Sequence, residues 1–187
     1  MKNTYTIPFS HFTYTKKTVI CGLMIALGIL LPTVTHLTGL PGGPVLLPMH
    51  LPVFLAGMLC GAPYGALVGL VLPAISTALT GMPKLFPTMP LMTIELAVYG
   101  SIVGLLFSKF PQYKLMSLLG AMIAGRIANA VALIVASKML MLSVPQPAIV
   151  LTSIITGLPG VAIQLIVIPI IIKFVEQYYG YNKKASN

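Results

Sequence analysis

Acidic residues are almost absent: of 187 residues only Glu95 and Glu176 carry a carboxylate, against 11 Lys and Arg. Tryptophan is missing, and the two cysteines, Cys21 and Cys60, form no C-x-x-C pair. Each gap excludes a chemistry. Two acids, no C-x-x-C and no H-E-x-x-H leave no donor set for a metal and no carboxylate pair for acid–base hydrolysis. No G-x-x-x-x-G-K-[ST] occurs, so the chain does not hydrolyse ATP by itself. An intramembrane serine hydrolase needs Ser and His at facing depths, whereas the histidines fall at or outside the outer edge of the apolar segments. The two cysteines lie in apolar stretches and read as small packing residues, with neither a disulfide nor a metal site indicated. The protein is expected to be no enzyme and to need no cofactor.

What is abundant is apolar side chain. Hydrophobic residues make up 57% of the chain, charged residues 7%, and the mean hydropathy is +0.99, a balance no water-facing globular surface accommodates. The fold class expected is an all-α integral membrane protein in the lipid bilayer. The length leaves room for about six spans of roughly 20 residues and hardly any soluble domain, so residues 1–187 read as one membrane domain.

The formal charge of +9 is explained by placement rather than by nucleic acid. Lys2, Lys16 and Lys17 precede the first apolar run, Lys109 and Lys114 flank "FPQY", and Lys173, Lys183 and Lys184 close the chain. With six spans all three clusters fall on one face, which the positive-inside rule makes cytoplasmic, so both termini are expected inside. Lys16-Lys17 before an apolar run resembles a signal peptide. No small-residue cleavage site follows "LGILLPTV" and further spans come after, so this segment is expected to be a retained first helix.

The apolar runs predict helices over about 17–35, 47–61, 63–80, 90–108, 114–139 and 148–177. The loops after helices 1, 3 and 5 are longer than the inside turns and carry most of the prolines, which marks the outer face as the place for a ligand lid. Pro48, Pro52, Pro73, Pro159 and Pro169 fall inside predicted helices, where each is either a kink or a break resatisfied by neighbours or a cavity. Gly57, Gly61, Gly65 and Gly69 recur every four residues, and Gly22 with Ala26 forms a small-x-x-x-small pair in helix 1. Such spacing lets helices approach closely, either within this bundle or against another membrane subunit.

Glu95 falls about five residues into helix 4 from the outer face, and Arg126 about twelve residues into helix 5 from the inner one, with Asn129 one turn further out. A carboxylate at bilayer depth needs a partner, a wet cavity or a proton. Glu95 and Arg126 therefore either pair with each other or contact a ligand in an outward-facing cavity. Gln164 near the middle of helix 6 also needs a partner. His50, Tyr99 and Thr93 are further candidates for the same cavity, with His36 and Lys84 behind them.

The pattern resembles the substrate-binding S component of energy-coupling factor vitamin transporters, in particular the group whose members share one ATPase module. The stretch "LLPMHLPVFLAGMLCGAPYGALVGLVLPAISTALTGMPKLFPTMPLMTIELAVYGSIVGLL", residues 46–106, carries the resemblance best, and it extends from Lys16 to about Lys184. The family's Ala-x-x-x-Ala motif appears as Gly22-Leu23-Met24-Ile25-Ala26, with Gly for the first Ala. The resemblance implies six helices, cytoplasmic termini in a bacterial cell membrane, and one vitamin-type ligand under the outer loops. It also implies docking onto a membrane coupling protein driven by two cytoplasmic ATPases, with Gly22, Ala26, Gly61, Gly65 and Gly69 on the docking surface, and toppling of the loaded subunit. Arg126 with Asn129 suits a carboxylate bearing hydroxyl or amide groups, as in pantothenate. Glu95 instead favours a donor-rich pyridoxine-like or hydroxymethylpyrimidine-type ligand. If the two residues pair with each other, neither selection follows. A membrane scaffold that binds no ligand is the remaining alternative.

Overall fold

The computed structural model describes residues 12–37, 45–139 and 149–185. Among these the chain forms six α-helices and no strand: α1 Tyr14–Leu37, α2 His50–Cys60, α3 Ala62–Thr80, α4 Thr88–Lys109, α5 Lys114–Ile134 and α6 Ile149–Ala185. A π-helical stretch, Val135–Met139, continues α5. Five of the helices are long and apolar enough to cross a bilayer, and α2, with 11 residues, is not. At 1.5 Å per residue α2 is about 16 Å long, roughly half the hydrocarbon thickness.

The late start of α2 has a local cause. Leu47 precedes Pro48 and stands at φ 48°, outside the right-handed helical region that a pre-proline residue disfavours. The helix expected from about 47 therefore begins at His50, and Pro52 falls in its first turn, where a missing N–H is tolerated. At the other end Gly61, at φ 97°, turns the chain within one residue into α3, whose start carries Pro63 at the favoured position. Pro73 in α3 and Pro159 and Pro169 in α6 lie inside continuous helices. The last helix runs on to Ala185, beyond the expected 177.

Helix α4 is the centre of the bundle and packs against α2, α3 and α5; α1 leans on α2 and α3, and α6 on α2 and α5. The seams are glycine seams. A Cβ on Gly65 would run into the backbone of Gly100 and Gly57, one on Gly69 into the backbone of Leu96 and Ala97, and one on Gly100 into Gly65. Backbone therefore meets backbone between α3 and α4, which is how helices gain van der Waals contact where lipid gives them no hydrophobic reason to associate. Gly65 and Gly69 are buried, so the expectation that they offer a docking surface is corrected: packing inside the bundle occupies them. Gly61 serves the α2–α3 turn. Gly22 and Ala26 are exposed on α1, with open space where a Gly22 Cβ would stand.

Around these seams Phe54, Leu72, Leu96, Tyr99, Phe107, Leu118, Ile168 and Ile172 form a closed core, while Val19, Leu23, Leu27, Leu30 and Val34 make an exposed apolar stripe along α1. The loop after α3 is tied down: Ser76 Oγ donates to the Met82 carbonyl at 2.7 Å and Thr77 Oγ1 to that of Pro83 at 2.8 Å. Of the other loops expected to share in a lid, residues 38–44 after helix 1 and 140–148 after helix 5 lie outside the described residues.

Gly100→Ala is expected to force α3 and α4 apart and to destabilise the protein by about 1–3 kcal/mol, whereas exposed Gly22→Ala is neutral or slightly stabilising because Ala is the better helix former. Thermal melts of the two variants in detergent check the contrast.

Candidate ligand-binding site

Glu95 and Tyr99 stand one turn apart on α4, and Arg126 and Asn129 about one turn apart on the facing side of α5. The four converge. Tyr99 Oη donates to Glu95 Oε1 at 2.6 Å, Arg126 Nη1 approaches the same oxygen at 3.0 Å, and Asn129 Nδ2 donates to Oε2 at 2.8 Å. Of the alternatives left open by the sequence, Glu95 and Arg126 pair directly. Gly125, beside Arg126, makes this possible: a Cβ there would collide with the Tyr99 ring. A carboxylate whose side chain is 5% exposed thus has three donors, two of them neutral, which offset the loss of water.

Beside this cluster is a cavity of about 400 Å³ between α2, α4, α5 and α6. Its wall is largely apolar, from Leu47 and Phe54 through Met122 and Ile123 to Leu158 and Val161. Four polar side chains interrupt it: His50, Tyr99, Arg126 and Gln164. Glu95 and Asn129 lie behind the wall and do not line it. The ion pair is therefore directional, with the carboxylate inside and the guanidinium at the cavity. Arg126 Nη2 reaches towards α6, 3.6 Å from where a Gly157 Cβ would stand, so donors remain after Glu95 is served.

Gln164 Nε2 donates to the Leu47 carbonyl at 3.1 Å, fastening α6 to the segment before α2. The same face of α6 carries Gly157 and Gly160, whose missing side chains leave room for Val45, Leu46 and Leu47. Tyr99 packs against two rings of α2, His50 at 5.3 Å and Phe54 at 5.0 Å between centroids. These tilted aromatic contacts hold the floor of the cavity.

Six of the expected site residues, Glu95, Arg126, Asn129, Tyr99, His50 and Gln164, are brought into or directly behind the cavity wall. Thr93 is not: its hydroxyl donates to the Met89 carbonyl of its own helix at 2.9 Å. Lys84 is exposed in the loop after α3, and the side chain of His36 lies outside the described residues. Sequence reasoning missed Phe54, which follows His50 by one helical turn, and Leu47, whose pre-proline position was the available signal. It also missed the second ion pair, Lys114 with Glu176, which joins α5 to α6 twelve residues below Arg126. Among the described residues no group of three or more His, Cys, Asp or Glu is placed to hold a metal.

The model of one protein family, described as ECF transporter, substrate-specific component, matches residues 16–172. No curated protein and no solved structure matches the chain.

Arg126→Ala is expected to leave Glu95 buried with its charge uncompensated and to destabilise by about 3–5 kcal/mol. Replacing both, as Glu95→Gln with Arg126→Met, is expected to recover most of that loss. Melting temperatures of the single and double variants, measured without ligand, test the pairing.

Proposed function

The chain belongs to the family of ECF transporter substrate-specific components, and on that premise we propose that it captures a carboxylate-bearing water-soluble vitamin, with pantothenate the best fit to the cavity. Membership makes it a multi-pass membrane subunit that binds a small substrate for transport and works with an ECF module; it is not an enzyme.

One observation carries the choice of ligand: the direction of the buried ion pair. Pairing with Glu95 removes the simple argument that a lone arginine demands an anion. What supports an anion now is that the pair turns its positive end to the cavity and hides its negative end behind Tyr99 and Arg126. An acceptor group, and a carboxylate above all, finds the remaining guanidinium donors there. The apolar wall suits the branched methyl groups of pantothenate, and the other polar side chains suit its hydroxyls and amide. A pyridoxine-like or hydroxymethylpyrimidine-type ligand would look for a carboxylate to receive its donors, and Glu95 is already served by three.

The proposed topology has six membrane-embedded helices in a bacterial cell membrane and both termini in the cytoplasm. Lys16, Lys17, Lys109, Lys114 and Lys173 would then lie at the inner end, with the cavity beginning some way up α5 from Lys114. Arg126 stands twelve residues above Lys114, about 18 Å at the helical rise. The partners would be a membrane coupling protein and two cytoplasmic ATPases. Exposed Gly22 and Ala26 on α1 would serve the docking, since small exposed residues allow a second helix to come close.

Thermal stabilisation in detergent against a panel of water-soluble vitamins and precursors tests the proposal. A ligand at about a hundred times its Kd adds roughly 2.7 kcal/mol to the folded state. Pantothenate should raise the melting temperature, and pantothenol, which carries an alcohol in place of the carboxylate, should not. A well-folded protein with a flat panel would favour the scaffold reading.

A further inference from the structure

His50 is the polar group of the cavity that the described residues leave unserved. The residue is 4% exposed, it lines the cavity, and neither ring nitrogen has a hydrogen-bond partner among the described residues. The Leu47 carbonyl lies close to the ring, but its hydrogen bonds come from the His50 amide at 3.1 Å and from Gln164 Nε2 at 3.1 Å. A carbonyl could in any case serve only a ring N–H, never the acceptor nitrogen of a neutral imidazole.

The contrast with Glu95 is the point. Three donors complete the carboxylate without a ligand, whereas no described residue completes the histidine. Buried polar groups are almost always paired, so an orphan facing a cavity indicates what should enter it. The ring packs against Tyr99 at 5.3 Å between centroids, a tilted contact that limits how it can turn.

We infer that His50 is the specificity-determining residue of this site, taking a hydrogen bond from a hydroxyl group of the ligand while Arg126 holds its carboxylate. The substrate class is therefore a compact hydroxy acid with an apolar middle. A hydroxyl both donates and accepts, so it satisfies either tautomer of a neutral imidazole, and nothing charged has to be brought into the apolar wall. This rests on the proposed role as a vitamin-binding subunit and adds to it the group that is read and the residue that reads it.

The test compares pantothenate with its dideoxy analogue, which keeps the carboxylate and the amide but lacks both hydroxyls. Binding is followed by calorimetry on the full chain in detergent, in wild type, His50→Phe and His50→Gln. Wild type should prefer pantothenate by about tenfold to a hundredfold, the size of one buried hydrogen bond left unmade. His50→Phe should lose most of that preference, and His50→Gln, which keeps an acceptor oxygen, should retain more of it. Where Phe crowds Tyr99 and the variant fails to fold, His50→Leu replaces it with the same expectation. The ligand-free melting temperature of folded His50→Phe, which keeps a ring against Tyr99, should not fall, since among the described residues no hydrogen bond of the ring is lost; a fall would make His50 structural and overturn the inference. An unchanged preference in the folded apolar variant would overturn it too, leaving the vitamin reading intact. A wild type that binds neither probe overturns the pantothenate reading and this inference together.

Discussion

A carboxylate buried among apolar helices has to be met by donors, and the arrangement around Glu95 follows from that requirement. Its two oxygens draw Tyr99 from the next turn of α4 and Arg126 and Asn129 from α5 into one cluster. Isolated in the bilayer, either charge would cost several kcal/mol. Together, with two neutral donors added, they form a unit whose register is fixed: sliding α5 against α4 by one residue would break all the contacts between the two helices at once. The same unit sets the polarity of the cavity, because the anion lies inside and the cation at the wall. Stability and recognition thus share one cluster, and substitutions at Arg126 act on both.

For the cluster to form, α4 and α5 must approach closely, and glycine permits it. Gly125 gives way to the Tyr99 ring, while Gly65, Gly69 and Gly100 bring α3 against α4. The close seam on one side of α4 and the ion pair on the other leave that helix little freedom. The looser side of the bundle is α6, which among the described residues packs against α2, α5 and the segment before α2. It is tied there by Gln164 to the Leu47 carbonyl and by Glu176 to Lys114. The cavity opens between the rigid part and this helix, so its size depends on how α6 sits.

Much of this was legible in the sequence. Helical class followed from hydropathy, and the helix limits followed within a few residues except at the end of α6, which runs eight residues past the expected limit. At the start of α2 the pre-proline Leu47 delays the helix by three residues. The site was legible in its polar members, because a buried charge in an apolar chain attracts attention by its cost. What stayed hidden was direction. Glu95 and Arg126 could be assigned similar depths from residue counts, but not which of them faces the cavity, since that depends on helix rotation. The glycine ladder was ambiguous for a related reason: a spacing of four places residues on one face without saying what covers it. Burial decides it, inward for Gly65 and Gly69 and outward for Gly22.

The cavity's composition has a consequence for selectivity. A wall that is mostly Leu, Ile, Met and Val gains little from distinguishing one methylene more or less, a difference of about 1–3 kcal/mol. Discrimination among small vitamins therefore falls on the few polar groups, and these are not equivalent. Tyr99 and Gln164 each have a hydrogen bond within the protein, so a ligand that ignores them loses little. Arg126 is half engaged. His50 alone among them lacks any such bond from the described residues, and a ligand that fails to supply one leaves a buried donor and acceptor unmet. Groups already satisfied position; the unsatisfied one selects.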